Sequence, residues 1–163
     1  MKLIEAKEIA ERVRAELAPH CERVEIAGSI RREKADVGDI EIVAIPKPYQ
    51  VDLFASGIAL VVNKWEKVKG TLPCKYTQRI LPEGIKLDLF FATPENFGLI
   101  YAIRTGSADY SHCVLACGWV AHGYKSVGGM LTYDGKPVTV CDEERLYKII
   151  GKRWVHPRYR EIP

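Results

Sequence analysis

The sequence predicts an α+β chain in two lobes. Residues 1–93 read as a mostly antiparallel or mixed sheet with helices on one face, and residues 94–163 as a smaller α+β lobe. Three observations lead there. An apolar stripe at helical spacing opens the chain, stretches of strand character follow it, and a new helical pattern begins after Thr93-Pro94. With 163 residues, 47% of them hydrophobic, the chain can bury a real core, and a charged fraction of 28% does not suggest disorder. The net charge of +3 permits a polyanionic partner without requiring one.

In chain order, "LIEAKEIAERVRAELA" (3–18) sets Ile9, Val13 and Leu17, with Ala6 and Ala10, on one helical stripe, and Pro19 ends it. "RVEIA" (23–27) reads as a short strand running into Gly28-Ser29, and "DIEIVAI" (39–45) as a strand stopped by Pro46 and Pro48. Residues 51–63 read as a helix weakened by Gly57. "CKYTQRIL" (74–81) and "GIKLDLFFA" (84–92) read as two strands joined through Pro82-Glu83-Gly84. Thr93-Pro94 then reads as an N-cap followed by proline at the first helical position. "ENFGLIYAIR" is one helix, "TGS" (105–107) interrupts it, and a second helix runs to about His122. "GYK", "GGMLTYDG" and "KPVTV" read as short strands and tight turns. Asp142 caps a last helix, "EERLYKII", closed by Gly151.

Five cysteines, an odd number with no CxxC pair, argue against a disulfide framework; buried reduced thiols in a cytoplasmic protein are expected. No apolar run reaches spanning length and no signal peptide is evident, so a soluble chain with no membrane partner is expected.

The chemistry begins with the acids. Residues two apart on a strand share a face, so Asp39 and Glu41 project together while Ile40 and Ile42 face the other way. "KLDLFF" repeats the arrangement with Asp88 between Leu87 and Leu89. Were these strands neighbours, three carboxylates would converge, a repulsive cluster that a divalent cation relieves. Hard oxygen ligands without His or Cys at ligand spacing favour Mg²⁺ or Mn²⁺ over zinc. Two such ions about 3.5–4 Å apart can clamp the attacking and leaving oxygens of a phosphoryl transfer. The alternative is a strand face carrying ordinary solvated acids. Just upstream, Gly28 lets backbone amides approach an oxyanion, Ser29 adds a hydroxyl donor, and Arg31 or Arg32 can fork onto a phosphate.

"GSIRREKADVGDIEI", with the later Asp88, resembles the signature of the nucleotidyltransferase superfamily related to DNA polymerase beta: Gly-Ser, then Asp-x-Asp or Asp-x-Glu, then a third acid. "RTGSADYSHCVLA", "GYK" and "IIGKRWVHPRYRE" are similar, in that order, to motifs of family X DNA polymerases. The resemblance runs from Gly28 to Glu161. It implies a nucleotidyltransferase palm followed by a nucleotide-closing lobe, with dNTP and a DNA primer as substrates and two Mg²⁺ or Mn²⁺ ions. Asp39 and Glu41 would bind both ions, and Asp88 the catalytic one while helping to deprotonate the primer 3′-hydroxyl. Ser29 and Arg32, with Gly28 and the Gly38 amide, would hold the β- and γ-phosphates. Thr105, Gly106 and Ser107 would lie under the sugar, with Tyr110 and Ser111 near sugar and base. Lys86 would contact the primer-end phosphate.

Departures are visible as well. The second acid is Glu41 where these polymerases usually carry Asp, and Leu115 stands where the family usually has a template-touching arginine. Ala108 and Ser111 replace an acidic or Asn side chain expected near the nucleotide. With 27 residues ahead of Gly28, a minimal monomeric form is expected, without the lyase domain or helix-hairpin-helix clamp. DNA would then be held by the two lobes, with a partner protein as a possible supplement. Lys64, Lys67, Lys69, Lys75, Arg79, Lys152, Arg153, Arg158 and Arg160 are the candidate phosphate contacts. A nucleotidyltransferase with another acceptor (an RNA end, a protein or a small molecule) and a catalytically silent nucleotide- or DNA-binding module are the alternatives. Cys113 and Cys117, one turn apart, read as core rather than as zinc ligands with His112 and His122, and Trp154 is a candidate base-stacking ring.

Overall fold

The computed structural model describes residues 1–48 and 57–162, and in it the chain is α+β in two compact units, Met1–Ala92 and Thr93–Pro163. In the first unit, α1 (Leu3–Leu17) lays Ala6, Ala10, Val13 and Leu17 against the sheet, all fully buried. Two alanines on that stripe let the helix approach the strands closely. A mixed five-stranded sheet follows, in the order β1-β2-β5-β4-β3. Its strands are β1 (Cys21–Ile26), β2 (Asp39–Pro46), β3 (Glu66–Lys69), β4 (Tyr76–Ile80) and β5 (Lys86–Phe91). The short helices α2 (Gly28–Arg31) and α3 (Ile58–Val62) lie between strands; the rest of the helix expected over 51–63 lies largely outside the described residues.

The central pair, β2 with β5, is parallel, while β1/β2, β5/β4 and β4/β3 are antiparallel. Alternation sorts the faces. Ile40, Ile42 and Ala44 of β2 and Leu87 and Leu89 of β5 enter one core with the α1 stripe and Trp65. The opposite face carries the acids. The β4–β5 hairpin closes at Gly84 (φ +79°), whose amide donates to Leu81 O at 2.8 Å.

The first helix of the second unit starts three residues later than Thr93-Pro94 suggests. This helix, α4 (Phe97–Thr105), has Asn96 at its N-cap position, and the Asn96 Oδ1 accepts the Thr93 N–H at 2.7 Å, so a turn occupies residues 93–96. After Ser107 the chain is helical through α5 (Ala108–Tyr110), a π-helical stretch (Ser111–Ala116) and α6 (Cys117–Ala121). An antiparallel sheet of β6 (Tyr124–Val127), β7 (Met130–Tyr133) and β8 (Lys136–Val138) follows. Then comes α7 (Glu143–Ile149), capped by Asp142, which accepts the Arg145 N–H at 2.7 Å. Leu99, Ala102, Tyr110, Leu115, Trp119, Leu146 and Tyr147 belong to this unit's core. The thiols depart from expectation: Cys21 alone is buried, Cys74 is half-buried, and Cys113, Cys117 and Cys141 are exposed. No described helix is long and apolar enough to cross a membrane.

Candidate active site

The parallel register places Asp39 opposite Lys86 and Glu41 opposite Asp88. All three acids are half-buried on the face away from the core, and Lys86 is exposed. Like charges paired directly across a ladder oppose sheet formation. Asp39, opposite Lys86, bears a separate cost: burial, and then the charge of Asp88, hold its carboxyl above the ordinary 3.8, with Lys86 and Arg32 pulling the other way. Asp88 is tied down differently. Its Oδ1 accepts both the Tyr76 hydroxyl at 2.8 Å and the Gln78 side-chain amide at 2.7 Å, from the neighbouring strand β4.

The Gly-Ser turn is built against the same strand. Ala27 N–H donates to Glu41 O at 2.8 Å, fixing the entry to α2 beside β2. Gly28 sits at φ +61°, and a Cβ there would run into the Glu41 carboxylate, at 2.8 Å from Cδ and overlapping Oε2. Only a residue without a side chain fits. Ser29 Oγ is buried with no hydrogen-bond partner, a rare state for a hydroxyl in a folded protein. Arg32 is half-buried and Gly38, just ahead of Asp39, is exposed.

Gly28, Ser29, Arg32, Asp39, Glu41, Lys86 and Asp88 therefore gather around one end of the β2–β5 pair. Among the described residues, no three Asp, Glu, His or Cys side chains close around a single point. The donor chemistry nonetheless suits a hard divalent cation, since every candidate ligand is a carboxylate, and the unpartnered Ser29 hydroxyl beside a side-chain-free cradle suits a phosphate oxygen.

Other expected contacts fall elsewhere. Arg79, expected on DNA, is 3% exposed and points to the core side, where it binds Thr77 Oγ1 and the Trp65 and Gly70 carbonyls. Strand alternation put it inward, and five donors let it staple loops there. Arg160, also expected on phosphate, is fully buried in a bidentate pair with Glu143. Lys75 is exposed just ahead of β4. In the second unit Thr105 is fully buried, and a Cβ on Gly106 would meet Ser111 Oγ at 2.8 Å. The Ser107 hydroxyl accepts from Tyr110 N–H, Ser111 donates to Ile103 O, and the Tyr110 hydroxyl bonds that of Tyr147 at 2.9 Å. These side chains, expected at a nucleotide, are engaged in holding the turn and core of their own unit.

Tyr76 and Gln78 were not anticipated at the site. The signal was present: counting back from the hairpin at Pro82–Gly84 sets Gln78 opposite Asp88. The chain matches no protein-family model and no curated protein.

Proposed function

We propose that the chain is a metal-dependent nucleotidyltransferase acting as a small family X-like DNA polymerase, adding dNMP to a primer 3′-hydroxyl and releasing pyrophosphate, in short-gap repair. The observation that carries this reading is the β2–β5 register, which sets Glu41 against Asp88 beside Asp39, at a Gly-Ser turn whose Ser29 hydroxyl is buried and unpartnered. Asp39, Glu41 and Asp88 are the ligands for Mg²⁺ or Mn²⁺; when bound, these ions supply the positive charge that offsets the carboxylates and the developing charge on the phosphate. Ser29 Oγ–H and the amides of the turn at Gly28 donate to the triphosphate, and Arg32 adds its charge. Asp88, with Oδ1 occupied by Tyr76 and Gln78, presents Oδ2 to the attacking hydroxyl and its proton. Lys86 steers the primer-end phosphate. In this reading the protein works in the cytoplasm, with its thiols reduced.

A second reading, transfer without a template to an RNA end, a protein hydroxyl or a small molecule, is favoured by Leu115. This residue occupies the place of the template-touching arginine and is fully buried in the second unit's core. Labelled gapped DNA with dNTPs and Mg²⁺ or Mn²⁺ tests both. Extension that follows the template and disappears in Asp39→Ala and Asp88→Ala supports the first; extension indifferent to template sequence supports the second. No transfer with either metal, together with nucleotide binding that ignores divalent cations, leaves a silent binding module.

A further inference from the structure

Residues 152–160 carry aromatic and basic side chains that the catalytic reading does not use. The segment has little regular structure, a 3₁₀ turn at Pro157–Tyr159, yet it is pinned at both ends. Lys152 N–H donates to Tyr147 O at 2.9 Å, and Arg160 Nε donates to Val155 O at 2.8 Å while its guanidinium grips Glu143. Arg160 also lies against the rings of Tyr147 and Trp154, at 5.2 and 5.3 Å from their centroids, and Trp154 Nε1 donates to Glu143 Oε2 at 3.0 Å.

On this fixed base the remaining side chains face solvent. Tyr159 is 70% exposed and Trp154 39%, and His156 is exposed between them. Edge contacts join the three rings, Trp154 to His156 at 5.9 Å and His156 to Tyr159 at 6.2 Å. Lys152, Arg153 and Arg158 are exposed around them and have no ion-pair partner among the described residues. Trp154 is held from beneath by Arg160 and Glu143, while His156 and Tyr159 are open to solvent. Rigid open rings interleaved with unpaired cations match what single-stranded nucleic acid requires: π-faces for bases and positive charge for phosphates, with little ordering left to complete on binding.

We infer that residues 152–160 form a stacking platform for single-stranded nucleic acid, with Trp154, His156 and Tyr159 under the bases and Lys152, Arg153 and Arg158 on the backbone. It goes beyond the proposed transfer, and its partner is the unpaired strand rather than duplex.

The protein supplies its own reporter, because Trp65 and Trp119 are each 6% exposed and Trp154 is the open tryptophan. An oligo(dT) titration of the full chain in EDTA, without nucleotide, is expected to quench Trp154 fluorescence saturably. Tyr159→Ala is expected to weaken binding about tenfold. Replacing Lys152, Arg153 and Arg158 together with alanine is expected to lower the salt dependence of log K by about 2. Circular dichroism checks that both variants are folded, and neither removes a buried side chain. No quenching overturns the inference, as does wild-type affinity in both folded variants, tighter binding of blunt duplex, or equal quenching by polyglutamate. Metal and nucleotide are absent, so failure here leaves the transferase reading standing, and loss of transfer with binding intact leaves this one standing.

Discussion

Gly28→Ala separates the cost of a backbone conformation from the cost of a displaced ligand. At φ +61° an L-residue is strained by about 1–2 kcal/mol. For a chain of this size that lowers Tm by roughly 2–8 °C. The new Cβ also lands on Glu41 Oε2 and within 2.8 Å of Cδ, so the carboxylate must move by on the order of an ångström to regain ordinary contact. A misplacement of that size costs about a hundredfold in rate. Gly84→Ala is the matched control: φ is +79°, but nothing lies within 4 Å of its Cβ, so it carries the strain without the collision. Thermal unfolding and single-turnover nucleotide transfer on both variants decide the point. Both lose similar stability, and only Gly28→Ala loses about two orders of magnitude in transfer and weakens Mn²⁺ binding. A folded Gly28→Ala protein with transfer within about threefold of the parent would refute the placement of Glu41 at the reacting centre.

Gln78→Leu removes one of the two donors on Asp88 Oδ1, and Mn²⁺ affinity read by electron paramagnetic resonance is expected to fall about tenfold; unchanged affinity would leave Gln78 with only a packing role. Glu143→Gln leaves Arg160 buried without a counter-charge, and urea unfolding is expected to register a loss of about 3–5 kcal/mol, with less than about 1 contradicting a buried pair. A thiol reagent at pH 8 is expected to label Cys113, Cys117 and Cys141 rapidly. Cys21, buried and with its thiol pushed up to about 11, should react only on unfolding, as mass spectrometry of timed samples will reveal. Asp39 holds its proton longer folded than unfolded, so its contribution to stability falls as pH rises above 3.8. Asp39→Asn is therefore expected to be more stable than the parent at pH 7 and no more stable below 3.8, in paired denaturation curves.

Much of the site was legible because strand alternation is a strict rule. Asp39 and Glu41 had to share a face, and the Pro82–Gly84 turn fixed what stands opposite Asp88. The adjacency of β2 and β5 was not legible, because parallel partners are joined by a long crossover and no local pattern records which strand lies beside which. Strand β3 was missed for a different reason: Glu66 to Lys69 are all exposed, so this edge strand has no alternation to read. Arg79 shows two signals in conflict, its charge pointing outward and its position in the period pointing inward, and the period prevailed. On a 3.6-residue period Cys113 and Cys117 read as inward. The π-helical stretch Ser111–Ala116 widens one turn, so after Tyr110 the buried positions become Leu115 and Trp119, and the cysteines rotate outward.

The two units use their polar groups in opposite ways, and the difference bears on where chemistry belongs. In the second, the hydroxyls of Ser107, Tyr110 and Ser111 are each matched to a partner inside that unit, and the buried Arg160–Glu143 ion pair is bidentate. Such groups are at their folding optimum and have little left to offer a ligand. In the first unit a serine hydroxyl is buried unmatched, a carboxyl is held above its ordinary range, and two acids face each other across a ladder. Each of these costs stability, and all of them cluster at one end of one strand pair. Local rules broken together in one place mark a site kept for something other than folding. Under the proposed transferase reading, the choice between templated and untemplated transfer turns on the acceptor's contacts rather than on the acids, and because Leu115 is committed to the core, its replacement by arginine disrupts packing instead of restoring a template contact.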